Sequence, residues 1–257
     1  PHSMKGKEGL SMPIIYLSPS TQENNLYVSG GSEEYWMNRL ADAMVPYLDA
    51  SGIRYTRNTP DMTAASSIAA SNRGNYDLHL ALHSNAAPEG RYGEVRGVLV
   101  FYYPGSAKGR RAAEIMAENL KRIYPIPSLV RAEATTTIGE VRKVRAPSVF
   151  LELGYHDNPD DAAWVKSQLD LIAQNLVGSL CQYFGIPFLT PVPERQGVVD
   201  VSWGSLNIRA RPDRSAPILA RAYDGARLTI INQWQGWYLV RFGDVTGYAS
   251  GDFITLV

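Results

Sequence analysis

Three prolines, Pro187, Pro191 and Pro193, crowd one short stretch of this 257-residue chain, and neither a helix nor a central strand survives such spacing. Each proline fixes φ and removes a backbone donor, so the stretch runs extended and stiff. Residues 187–197 are therefore read as a linker between two regions of different character. Before it, long helical periods alternate with short β-branched runs. After it come brief alternating segments punctuated by Gly204, Gly225, Gly236, Gly243, Gly247 and Gly251, a turn pattern that predicts a small all-β barrel over 198–257. Residues 1–12, opening Pro-His-Ser-Met, read as a tag or an unstructured start.

The pattern over 13–186 predicts an α/β domain with a mostly parallel central sheet flanked by helices. Strands are expected at 14–17, 53–57, 78–83, 97–103 and 148–152, and helices at 33–50, 107–124 and 160–183, the last opened by Asn158-Pro159 as cap and first-turn proline. Composition closes off other classes. With 25 Lys+Arg against 25 Asp+Glu there is no basic footprint for nucleic acid. No apolar run approaches the roughly 18 residues of a membrane span. A single cysteine, Cys181, excludes an intrachain disulfide and a Cys-rich zinc site.

Chemistry is expected at strand ends, where open α/β sheets bind ligands. The run Leu78-His79-Leu80-Ala81-Leu82-His83 reads as a buried strand ending at His83. His79 shares its face but sits roughly 13 Å back along the strand, too far to share one ion. Ser148-Val149-Phe150-Leu151 runs apolar into Glu152, and a carboxylate there is costly unless paired, metal-bound or kept protonated. On the helix at 33–50, Glu33 opens the stripe of Trp36, Met37, Leu40, Met44 and Leu48, whereas Glu34 lies about 100° away and faces solvent.

In chain order these pieces resemble the zinc-dependent N-acetylmuramoyl-L-alanine amidases that cut bacterial peptidoglycan. His83-Ser84-Asn85-Ala86 matches that family's Ser-x-His-x-Asn-Ala strand end, and Glu152-Leu153-Gly154-Tyr155-His156-Asp157-Asn158 matches its Glu-x-Gly-Phe-x-x-Asn. Glu33 matches the Glu that opens the family's long helix, with Ala41, Gly52 and Thr56-Arg57 following at its spacing. The resemblance implies cleavage of the amide between N-acetylmuramic acid and L-alanine by zinc-activated water, with Glu33 and His83 on Zn2+, Glu152 as general base, and Asn85, Asn158 and His156 touching substrate. One motif departs. Where the family has Asp-Pro-Gly-His, this chain has Ser18-Pro19-Ser20-Thr21, so the third zinc ligand is open among Gln22, Glu23 and His156. Two rival readings share these residues: a wall-binding protein with a degenerate amidase fold, and a zinc peptidase acting on stem peptides.

Beyond the linker, Leu206-Asn207-Ile208-Arg209-Ala210-Arg211-Pro212, Gly236-Trp237-Tyr238-Leu239-Val240 and Thr246-Gly247-Tyr248 resemble the bacterial SH3-like domains that accompany cell-wall hydrolases. The resemblances imply peptidoglycan as partner and a location that is extracellular or in the cell wall, with a phage lysin or a spore-associated enzyme as the alternatives. Trp234 and Trp237 are the aromatics that fit either the barrel core or ligand stacking.

Overall fold

In the computed structural model, which describes residues 11–257, the first region builds a six-stranded sheet. Its strands are β1 Ile14–Pro19, β2 Arg54–Arg57, β3 Leu78–Asn85, β4 Val98–Tyr102, β5 Val130–Ala134 and β6 Ser148–Tyr155, in the order β2-β1-β3-β6-β4-β5. β1 with β3, β3 with β6 and β4 with β5 run parallel, and β4 against β6 is antiparallel. The sheet is mostly parallel, as the alternating pattern predicts. β3 and β6 lie centrally and are buried along nearly their whole length, which is why they read as continuous apolar runs.

Helices α1 Glu33–Ala50, α2 Ala64–Arg73, α3 Ala107–Leu120, α4 Gly139–Arg142, α5 Pro159–Ser167 and α6 Leu169–Phe184 complete the region. Met37, Leu40, Met44 and Leu48 form the buried stripe of α1, while Trp36 is half-buried beside it. The single helix expected over 160–183 is two. Gln168 leaves helical dihedrals at φ −118 and ψ 23, and neither glycine nor proline announces the break. β5 and α2 are elements that periodicity misses. β5 buries only Val130, and the buried face of α2 consists of Ser67 and Ser71, so no apolar stripe marks it. A capping box between Thr63 and Ser66 starts α2 instead.

By contacts the chain divides into two compact units, one of Ile14–Val45 and Tyr55–Tyr183, the other of Pro46–Arg54, Phe184–Val257 and the described residues before Ile14. Residues 1–10 of the stretch read as a tag lie outside the described residues, whereas Met12 is buried and its carbonyl accepts from the Arg54 guanidinium. In this second unit Ser51 Oγ exchanges hydrogen bonds with both backbone groups of Leu189, and Asn232 Nδ2 donates to the carbonyls of Ala50 and Thr190. Seven strands form its antiparallel sheet: β7 Arg195–Val199, β8 Ser205–Arg209, β9 Ile218–Tyr223, β10 Arg227–Trp234, β11 Trp237–Phe242, β12 Val245–Ser250 and β13 Ile254–Leu256. Leu206, Ile208, Leu228, Ile230 and Val240 are among its core. The β10–β11 hairpin closes through Gln235 (φ 45) and Gly236 (φ 83), the positive-φ pair a two-residue loop needs to match strand twist.

Candidate active site

The parallel pairing of β3 and β6 sets His83 opposite Glu152 in register. Both strands run past these residues, to Asn85 and Tyr155, so each lies just inside its strand rather than at the end that the sequence pattern suggests. A register shift between His83 and Asn85 breaks the pleat there.

Glu33, 1% exposed at the start of α1, places Oε1 2.7 Å from His83 Nδ1 and also accepts the Ser84 amide. Its other oxygen accepts from Asn25 Nδ2 at 2.8 Å. Glu34, one residue on, is half-exposed. Burial acts to raise the Glu33 carboxyl, but the hydrogen bond and charge of His83 outweigh it and hold the group below its ordinary value. For His83, burial acts downward, and the carboxylates of Glu140 and Glu33 reverse it, pushing the imidazole up to about 10.

Glu152 is placed differently. Its Oε2 is buried and has no hydrogen-bond partner, and burial pushes the carboxyl up to about 8, opposed by His83 and assisted by the negative charge of Glu33. The amide of Tyr155, the last residue of β6, goes to Asp161 Oδ2 instead, which also takes Gly97 N. Glu152 is thus a carboxyl group with an unused oxygen, in register with His83.

The three candidates for a third metal donor are spread out. Gln22 and Glu23 are exposed on the segment after β1. Gln22 Oε1 accepts from the same Asn25 amide nitrogen that serves Glu33, so one NH2 group links the two oxygens. His156 is buried, its Nδ1 3.0 Å from Ser84 Oγ and its ring 5.7 Å from that of Tyr27. Thr21 is half-buried. Among the described residues no group of three His, Cys, Asp or Glu side chains is arranged to hold a metal. Only Glu33 and His83 are in direct contact, a carboxylate and an imidazole nitrogen of the donor types a divalent cation takes, while Gln22 Oε1 reaches them only through the Asn25 amide.

Asn85 is half-buried and its Oδ1 accepts from Ala86 N. Asn158 is committed locally: Oδ1 caps α5 at Asp160 and Asp161, and Nδ2 donates to Gly93 O. Asp157 takes Ala87 N and Gly93 N, so the turn after β6 fastens the loop after β3.

Sequence reasoning overlooked Glu140. This buried residue of α4 accepts from Ser18 Oγ and from His79 Nε2, each at 2.8 Å, and faces His83 Nε2 at 3.7 Å. The two histidines that strand spacing separates therefore approach one carboxylate. The signal for it was slight, a lone acid between Ile138 and Val141.

In the barrel, Trp237 is half-buried and lines a cavity of about 480 Å3 together with Trp203, Phe253, Arg209 and Arg214. Trp203 is 87% exposed.

Residues 20–182 match the family described as N-acetylmuramoyl-L-alanine amidase, and residues 204–255 match the bacterial SH3 domain. No curated protein sequence matches the chain significantly. Among solved structures, the N-acetylmuramoyl-L-alanine amidase AmiC2 of Nostoc punctiforme is 16% identical with a TM-score of 0.58, covering 67% of this chain and 97% of its own. Ami1 from Mycobacterium smegmatis is 18% identical with a TM-score of 0.60, covering 69% and 99%. An amidase from Clostridium difficile 630 is 14% identical with a TM-score of 0.61, covering 68% and 98%. At these identities the likeness is one of fold.

Proposed function

The chain belongs to the N-acetylmuramoyl-L-alanine amidase family, and from that premise we propose that Glu33, His83 and Gln22 hold a zinc ion while Glu152 is the general base for hydrolysis of the muramoyl–L-alanine amide. Bound zinc supplies Lewis-acid polarisation of the scissile carbonyl and lowers the pKa of water at the site. Glu152 takes a proton from the attacking water as its oxygen bonds to the carbonyl carbon. As the carbon–nitrogen bond breaks, Glu152 returns that proton to the departing amine of L-alanine. The products are a lactyl carboxylate on the sugar and a free amino group on the peptide.

The observation that carries this reading is the buried, unpartnered Oε2 of Glu152 in register with the Glu33–His83 pair. A carboxylate left without a partner in a buried site is destabilising, and a base that must meet water and substrate is a reason to leave it so. Gln22 is preferred as third donor because its amide oxygen shares Asn25 with Glu33, whereas the Nδ1 of His156 already faces Ser84. Asn85 and His156 line the approach of substrate in this reading, and Asn158 shapes it by tying down Gly93. Thr21 in the place of the family's histidine favours the wall-binding alternative, so two measurements decide. Elemental analysis is expected to give one zinc per chain, and digestion of peptidoglycan to free the L-alanine amine from a muramoyl sugar. No metal uptake and no new amine would leave the wall-binding reading, while new amines only within the stem peptide would establish the peptidase.

The barrel is proposed to attach the enzyme to peptidoglycan, which places it in the wall or outside the cell; no described helix is long and apolar enough to cross a membrane. Tethering raises the effective substrate concentration without altering the chemical step. Trp203→Ala is expected to weaken binding to insoluble wall about tenfold, the scale of one lost aromatic stacking contact. Turnover of small soluble muropeptides should stay unchanged. Equal loss on both substrates in parallel assays would refute an attachment role.

A further inference from the structure

The cavity of the barrel carries more aromatic surface and more positive charge than the packing of the barrel uses. Trp203 is 87% exposed and Phe253 is 47% exposed, and with half-buried Trp237 they line one hollow. Clustered apolar rings left in water mark a binding surface. Strand β8 supplies the polar side. Leu206 and Ile208 are buried in the core, so the strand's alternation turns Asn207 and Arg209 to the opposite face, where both line the cavity. Arg209 and Arg214 are its cations, and no acidic side chain lines it. Arg209 Nη1 donates to the Ala216 carbonyl at 2.9 Å, which steadies the guanidinium and leaves further N–H donors on a planar fork that matches a carboxylate. Arg214 is exposed on the loop before β9. Among the described residues neither arginine is ion-paired, and Asp213 on the same loop is taken up by the amide and hydroxyl of Ser215.

We propose that this cavity binds N-acetylmuramic acid whose lactyl carboxylate is free, the sugar product of the amidase reaction. The inference rests on the reading of the barrel as a wall-attachment module and names its ligand. Charge selects product over substrate. A muramoyl group still joined to L-alanine holds its carbonyl in a neutral amide, whereas cleavage leaves a carboxylate on the sugar. Arginine meets a carboxylate through paired N–H donors, so a hollow with two arginines and no acid favours the cleaved form. Shape selects the sugar over the other source of carboxylates, the stem peptide. A pyranose offers a flat C–H face to an aromatic ring and enters as one rigid body, whereas a peptide loses the freedom of every torsion that binding orders. The volume of about 480 Å3 lies within the roughly 300–1,000 Å3 of small-ligand sites. Each cleavage then creates a docking point for the barrel, and the enzyme accumulates on strands that it has begun to strip.

The test uses the full chain with a chelator present, so that no wall is digested and no carboxylate is held by a metal. A disaccharide ending in N-acetylmuramic acid is titrated beside the same disaccharide with its lactyl group as a primary amide, followed by tryptophan fluorescence. Wild type is expected to bind the acid about tenfold more tightly than the amide, the scale of one charge-assisted contact. Arg214→Gln should bind the acid no better than the amide, and Arg214→Lys should recover part of the preference. Arg214 is exposed, so both variants keep the fold. Equal affinity of wild type for acid and amide, or an acid preference that survives in Arg214→Gln, overturns the proposal. Binding of free stem peptide through Arg214 without binding of the sugar overturns it in favour of the peptide. Sedimentation with insoluble wall, before and after another amidase has stripped it, separates ligand from attachment. More protein on stripped wall supports the proposal. Equal binding to both overturns the carboxylate preference alone, and binding to neither overturns the attachment reading as well.

Discussion

Glu152→Gln is expected to retain zinc and fold while losing turnover by ~10²–10⁴-fold, the contribution typical of a general base. The substitution is nearly isosteric, and the buried Oε2 it replaces has no hydrogen bond to lose. It also removes the need to keep a carboxyl in a site that raises it to about 8 through burial and the nearby charge of Glu33. The variant should therefore be no less stable than wild type, and denaturant melts run beside the assay will show whether that holds. A stable, zinc-loaded Glu152→Gln enzyme that still releases L-alanine amines at the wild-type rate removes Glu152 from the mechanism.

The second large effect is expected at Glu33. Glu33→Ala takes away one metal donor and at the same time leaves the His83 imidazole without its 2.7 Å partner. Breaking a buried ion pair from one side costs about 3–5 kcal/mol in general. The remaining carboxylate at Nε2, Glu140, offsets part of that. Zinc content should fall from one per chain to near zero, with activity lost in step, and the melting temperature should drop. Glu34→Ala is the control: it occupies the same first turn but is half-exposed, so zinc and stability should stay near wild type. Loss of metal in Glu34→Ala with retention in Glu33→Ala would show that the wrong face of α1 has been assigned.

The central strands were legible because burial on both faces writes itself as an apolar run, and His83 and Glu152 stood out as the polar residues interrupting two such runs. Glu33 was legible because it opens the stripe of α1. What stayed hidden was held by hydroxyls and long-range contacts. α2 presents serines to the interior, and a serine face has the composition of a loop. Glu140 comes from a single helical turn between β5 and β6, and nothing in its local sequence says that it meets His79 and His83. Nor does sequence order reveal that one amide of Asn25 spans Gln22 and Glu33. Asn158 matched a substrate-binding position by motif, yet its side chain is occupied by the cap of α5, a role its place before Pro159 also foretells.

The serine-faced helix α2 has a consequence for the durability of the site. An element that buries little apolar surface is weakly coupled to the global hydrophobic core, and such elements open as local units at free energies well below that of full unfolding. Ser71 belongs to α2, and each opening withdraws its hydroxyl from His79, the residue that steadies Glu140. Amide exchange in α2 then acts as a clock for the hydrogen bonds behind Glu140. Heat is therefore expected to loosen the Ser71–His79 contact while the central strands β3 and β6 are still protected.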